Sequence, residues 1–241
     1  GYTAKNMTFD GCSNSGKTVD GVKKGIYVDQ PVKHGYFDIA GCVGYVYKAN
    51  ITFLNGFTNS ADIYVKATNT YAGTYPVGGV LAVYNTANAS YEGWTGTIKN
   101  TGKITFDGDA SASKTLAVGG IIGISGAASE ATLVNTGDIA ITDTAKIPAT
   151  NGFGGIVGVT TASIKGAHSY FTLEKSKDVV ANVGFITAFT PHFHVVEVQN
   201  KLFGEVNGEV IDLGIFNIFL YAQREVKTLG GTDQYIRRGV V

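Results

Sequence analysis

Apolar residues along this chain cluster in short blocks of four to six, separated by Gly, Asn, Thr and Asp, and the blocks recur. Gly78-Gly79-Val80-Leu81-Ala82-Val83 aligns with Gly119-Gly120-Ile121-Ile122-Gly123-Ile124 and with Gly154-Gly155-Ile156-Val157-Gly158-Val159. An earlier copy reads Ala40-Gly41-Cys42-Val43-Gly44-Tyr45, and a worn later one Val183-Gly184-Phe185-Ile186-Thr187-Ala188. A second block begins at Asn59, Asn100 and Asn135, each followed four residues on by Ile63, Ile104 or Ile139. Gly25-Ile26-Tyr27-Val28 matches the end of an earlier copy. These runs are β-branched and too short for helices, so they predict strands.

The spacing between blocks carries the fold prediction. Asn59 to Gly79, Asn100 to Gly120 and Asn135 to Gly155 are each 20 residues apart. The complementary intervals vary: 18 from Gly41 to Asn59, 21 from Gly79 to Asn100, 15 from Gly120 to Asn135. A fixed interval beside a variable one is what stacked turns produce, with insertions confined to one side. Each unit reads as three strands: the Gly-Gly type, one before the Asn and one after it. The Asn-Thr-Gly between the last two makes a corner, since Asn and Gly tolerate left-handed backbone. The expectation is an all-β, right-handed parallel β-helix (β-solenoid) of about four to five rungs. Asn59, Asn100 and Asn135 would form an amide ladder at the ~4.8 Å strand spacing. Residues 1–20 are expected as an N-terminal cap, 21–194 as repeats, and 195–241 as a C-terminal cap. The last holds a hairpin turning at Asn207-Gly208.

The Gly-Gly strand is apolar on both faces, with Val80, Ile121 and Ile156 on one and Leu81, Ile122 and Val157 on the other. An inserted loop covering the outer face is the expected explanation, and an interaction surface the alternative.

Gly-Gly-Ile-Val-Gly, a short gap and Asn-Thr-Gly-Asp-Ile together resemble the GLUG-type repeat, over about residues 22–190 and most clearly Gly119–Ile141. The pattern is similar to repeat regions of large surface-exposed proteins of Bacteroidetes and other bacteria. The resemblance implies a secreted or surface-anchored β-solenoid, adhesin-like or a spacer, with no catalytic residues to carry over. In the fourth unit the corner Asn is replaced, near Ile164-Lys165-Gly166. Asp143-Thr144-Ala145 resembles the short O-glycosylation signal of that phylum.

Composition agrees with a folded chain: 241 residues, 44 % hydrophobic and 16 % charged, with 33 Gly and 4 Pro. The charged share lies below the typical ~25 %. Lys plus Arg and Asp plus Glu are 19 each, so the chain lacks the electrostatic footprint of a nucleic-acid or anionic-lipid binder. No stretch reaches the roughly 18 apolar residues of a membrane span. The opening Gly-Tyr-Thr-Ala-Lys-Asn carries no signal-peptide pattern, as expected of a processed mature form. Cys12 and Cys42 fit either a disulfide tying the N-terminal segment to the first repeat or two buried free thiols.

Several motifs touch on chemistry. Gly11-Cys12-Ser13-Asn14-Ser15-Gly16-Lys17-Thr18 matches the phosphate-binding P-loop pattern, yet Gly21 and two valines stand where its helix should start, which favours a polar loop. His192 and His194 share one strand face, but Glu197 falls on the other, so exposed strand histidines are expected rather than a metal site. Asp107-Gly108-Asp109 suits an Asp-Gly turn better than a calcium site or acid pair. The positions of Asp62, Lys103 and Asp138 change sign between copies, so no carboxylate column builds up. Asn6, Asn50 and Asn88 begin N-x-Ser/Thr triplets, which matter only in a eukaryotic secretory host.

Aromatics on the insertions supply the candidate ligand-binding set: Tyr71 and Tyr75, then Tyr84, Tyr91 and Trp94. Exposed rings with a polar tip suit sugars and partner proteins, and the competing reading has these rings covering the apolar face. As ligand contacts, they predict that Trp94→Ala weakens retention without unfolding the chain. The functional expectation is a non-catalytic extracellular, bacterial-surface module, adhesive or structural, needing no cofactor. Its partner is a glycan or a surface protein, and a homo-oligomer is compatible with the sequence. A carbohydrate-active β-helix enzyme and a phage or filament fibre protein are the alternatives.

Overall fold

The computed structural model describes residues 2–3, 5–19, 22–29, 37–47, 49–84, 93–126, 131–161, 167–175, 181–184, 187–189, 196–206, 209–220, 227–229 and 232–234. All regular structure among them is β, and parallel strands stack turn on turn as a β-solenoid. Each turn has four strands, one more than the sequence reading assigned. The first sheet contains Ile39–Ala40, Thr74–Gly78, Thr115–Gly119, Asn151–Gly154 and Val183–Gly184. The second contains Tyr2–Thr3, Val43–Val46, Leu81–Tyr84, Ile122–Ser125, Val157–Thr160 and Thr187–Phe189. The third contains Met7–Asn14, Ile51–Asn59, Thr97–Asn100 and Thr132–Asn135, and the fourth Ile26–Val28, Ile63–Val65, Ile104–Phe106 and Ile139–Ile141. Ala167–Lys175 runs through both of these sheets and joins them.

Three turns carry all four strands as separate elements. The expected four to five rungs counted the worn first and last copies as complete. The segment expected as an N-terminal cap instead adds strands to the second and third sheets, with Tyr2 opposite Tyr45 and Asn14 opposite Asn59. Beyond the last turns, Val196–Val206 and Glu209–Leu220 form the expected antiparallel hairpin, and Val196–Val206 also pairs in parallel with Ala167–Lys175.

The strand missed in sequence explains the apolar Gly-Gly strands. It precedes the glycine pair and folds back, so the first and second sheets meet backbone against backbone. A Cβ on Gly123 would lie 2.9 Å from Val77 N, and one on Gly158 2.6 Å from Val118 N. A neighbouring sheet therefore covers what an inserted loop was expected to cover. Val80, Leu81, Ile121, Ile122, Ile156 and Val157 are all fully buried.

Inside the stack, Ile63, Ile104 and Ile139 lie in register, as do Val65, Phe106 and Ile141, and all are buried. Each such side chain contributes about 1.5–3 kcal/mol on burial. The amide ladder forms and extends one residue further than expected. Asn14 Nδ2 donates to Asn59 Oδ1 (3.0 Å), Asn59 Nδ2 to Asn100 Oδ1 (2.8 Å), and Asn100 Nδ2 to Asn135 Oδ1 (2.9 Å). The second glycine of the Gly-Gly pair is required opposite the ladder: a Cβ on Gly120 would sit 2.3 Å from Asn135 Nδ2 and 2.1 Å from Gly155 O. In the fourth turn the ladder position falls to Ser169, not to the Ile164–Gly166 stretch, and Ser169 Oγ is buried with no hydrogen-bond partner among the described residues.

Candidate functional site

Three of the five aromatic residues expected to bind ligand lie in the core. Tyr75 is fully buried, packed edge-on against Phe37 (4.6 Å) and Phe106 (5.5 Å), with its hydroxyl donating to Ala67 O at 3.2 Å. Tyr84 is fully buried too, and Trp94 is 9 % exposed, set edge-on against Phe53 at 4.7 Å. The Trp94 indole N–H donates to the Ile51 carbonyl. Burial pushes the Tyr84 phenol up to about 12 and raises that of Tyr75 further. Tyr75 and Tyr84 belong to the core as strand residues of the first and second sheets, in register with Leu116 and Ser125 of the next turn, and Trp94 joins them from the segment between strands, where ring area is worth more than in water. Tyr71 is exposed, at 41 %, with its N–H held by Asn69 Oδ1 at 2.9 Å. Tyr91 lies outside the described residues, as do His192, His194 and Asn88.

The P-loop pattern is strand and turn. Met7–Asn14 runs through its first half, and Lys17–Val19 pairs antiparallel with Val22–Lys24 where a helix would be needed. Cys12 and Cys42 are free, so the disulfide is not formed. Cys42 occupies the corner position held by Val80, Ile121 and Ile156 in later turns and packs there as a small hydrophobe. Burial, with Cys12 nearby, pushes its thiol up to about 12. Asp62 and Asp138 cap backbone: their Oδ1 atoms accept from Lys103 N (2.9 Å) and Thr172 N (3.0 Å). Among the described residues no group of His, Cys, Asp and Glu is arranged to hold a metal ion.

What the structure does bring together is a polar, aromatic column on the outside of the fourth sheet. Each strand there is a triplet whose first and third residues enter the core, so the middle residue faces out. Register places Tyr27, Tyr64, Thr105, Ala140 and Glu174 in one column. The Tyr27 and Tyr64 rings stack at 5.2 Å and 15°. Tyr27 is 62 % exposed, the most of any large hydrophobic residue described.

Carboxylates flank the pair. The Tyr27 hydroxyl donates to Asp29 Oδ2 at 3.3 Å and the Tyr64 hydroxyl to Asp107 Oδ2 at 2.6 Å. Thr142 and Thr144 hydroxyls donate to Asp107 Oδ1. Hydrogen bonds from Thr142, Thr144 and Tyr64 hold the Asp107 carboxyl below its ordinary value. The same bond, helped by desolvation and the nearby carboxylates, pushes the Tyr64 phenol up to about 12. Lys103 pairs with Glu174 at 2.6 Å and Lys146 with Asp109 at 3.1 Å along the same side. Asp107 and Asp109, read in sequence as one Asp-Gly turn, thus anchor neighbouring turns. The legible signal was Ile-Tyr-Val twice, at Ile26–Val28 and Ile63–Val65: a tyrosine at the outward position of successive copies.

No known protein family, curated protein or solved structure matches this chain. No helix among the described residues is long and apolar enough to cross a membrane.

Proposed function

We propose that the chain is a non-catalytic extracellular surface module, adhesive or structural, whose contact face is the outside of the fourth sheet. The observation that carries this reading is the stacked Tyr27–Tyr64 pair, exposed and braced by Asp29 and Asp107. A parallel sheet fixes these side chains at strand spacing, so the face is pre-organised and loses little entropy on binding. The chemistry favours contact over catalysis. Asp107 accepts from three hydroxyl donors and is held ionised, which makes it a poor general acid, since that role needs a raised pKa. The repeat's resemblance to surface β-solenoids supports the extracellular, bacterial-surface setting, and a glycan or surface protein is the partner of choice.

Native electrophoresis of the chain through gels containing host and plant polysaccharides or mucins tests this. Retardation by one polymer, lost on Tyr27→Ala with Tyr64→Ala, supports the face. Retardation that survives both substitutions places binding elsewhere and ends this assignment. Release of new sugar ends from any polymer overturns the non-catalytic reading.

A further inference from the structure

Tyr27 ends its column. Ile26–Val28 is the terminal strand of the fourth sheet, and Tyr64 is the one described ring stacked on Tyr27. With Tyr64 covering one face, an exposure of 62 % leaves the other face and the ring edge open to solvent. Asp29 stands at that edge, linked to the hydroxyl. Tyr64 is fixed in turn by Asp107, so the platform beneath Tyr27 does not swing away.

A flat phenol face beside a carboxylate matches a pyranose ring: its C–H groups lie on the aromatic face while its hydroxyls donate to the carboxylate. The stereochemistry narrows the class. A pyranose with all substituents equatorial presents only axial C–H on each face and lies flat on the ring. An axial hydroxyl would stand between the two surfaces and lose its water without gaining a partner. Sugars carrying carboxylates would meet Asp29 and Asp107 with like charge.

We infer that Tyr27 and Asp29 form a subsite for an uncharged, all-equatorial pyranose unit of a β-linked glucan-type polymer. This rests on the reading of the fourth-sheet face as the contact surface. Tyr27 supplies the stacking platform, Asp29 accepts hydrogen bonds from the sugar hydroxyls, and Tyr64 with Asp107 hold the platform in place.

The test is saturation-transfer NMR on the full chain with cellohexaose, beside polygalacturonate oligomers as the charged control, whose linkage oxygens are axial. Transfer to the axial ring protons of cellohexaose and none to the control is expected. Tyr27→Ala should weaken binding about tenfold, while Tyr27→Phe retains most of it, because the stacking face survives. Asp29→Asn should weaken binding less than Tyr27→Ala, and Tyr71→Ala should leave it unchanged. Circular dichroism of each variant establishes that it folds. Absence of transfer to cellohexaose, or transfer undiminished in a folded Tyr27→Ala chain, overturns the subsite. If another polymer is retarded in gels in a Tyr27-dependent way while cellohexaose shows nothing, the ligand class is wrong and the contact face stands.

Discussion

Replacing Asn100 by Ala interrupts the amide ladder at its centre. The side chain is fully buried and makes three hydrogen bonds in register: its Oδ1 accepts from Asn59 Nδ2 at 2.8 Å, and its Nδ2 donates to Asn135 Oδ1 and Gly102 O, both at 2.9 Å. The consequences for the partners differ. Asn135 Oδ1 keeps the N–H of Gly137 at 3.1 Å, so it stays satisfied. Asn59 Nδ2 keeps its bond to Ala61 O but loses a partner for its second proton, and the Gly102 carbonyl loses the bond from Asn100. Two groups are therefore left unpaired away from water, at about 1–3 kcal/mol each, giving a loss of about 2–6 kcal/mol. That is a large part of a typical domain stability of roughly 5–15 kcal/mol. Urea unfolding followed by the fluorescence of Trp94 is the assay, since Trp94 packs on Phe53 and Tyr84 in the two turns that Asn59 and Asn100 bridge. Asn100→Asp should do at least as much damage, because an acceptor would then face Asn135 Oδ1 and Gly102 O. A loss under about 1 kcal/mol for Asn100→Ala would refute the reasoning, showing that water replaces the ladder.

The other predictions use urea unfolding or a pH series. Ser169→Asn extends the ladder by one turn beneath Asn135 and should raise stability by about 1 kcal/mol, whereas a loss would mean the fourth corner cannot hold an amide. Trp94→Ala removes a buried ring packed on Phe53 and Tyr84 and, followed in urea by circular dichroism because the chain has one tryptophan, should cost about 3–5 kcal/mol, opposite to the expectation for a surface ligand contact. The Tyr64–Asp107 bond should contribute a constant increment of stability, read as the difference from Tyr64→Phe, between about pH 5 and 9. Tyr64 is raised from 10.0 to about 12, so its part is complete below 10 and fades as pH climbs toward 12. Asp107 is lowered from 3.8, so its part is complete above that value and fades as pH falls through its depressed pKa. An increment that vanishes near neutrality would contradict the assignment.

Much of the solenoid was legible because stacking imposes a period. Strands that must pair with their copies one turn away cannot drift, so the Asn59, Asn100 and Asn135 corners and the Ile63, Ile104 and Ile139 column appear as fixed spacings. The fourth strand of each turn was hidden because its copies share little: Thr74–Gly78 carries Pro76, a residue that argues against a strand interior, and Asn151–Gly154 carries two glycines. What matters there is close approach of two backbones, which composition does not announce. The candidate site divides similarly. Outward placement of Tyr27 and Tyr64 follows from period-two alternation and was readable in two copies of Ile-Tyr-Val. That Tyr75, Tyr84 and Trp94 turn inward was not readable, since the strand carrying Tyr75 was hidden, Tyr84 ends its strand, and Trp94 lies between strands with no period to fix its direction.

By itself, then, the sequence determined the architecture: parallel turns, the corner ladder and the apolar columns all follow from pairing between copies that repeat in the chain. Tertiary structure alone decided that Tyr75, Tyr84 and Trp94 are core, and which carboxylate braces which tyrosine. Those contacts join residues of different turns, such as Tyr64 with Asp107 and Trp94 with Ile51, whose meeting depends on how loops of unequal length fold across the stack.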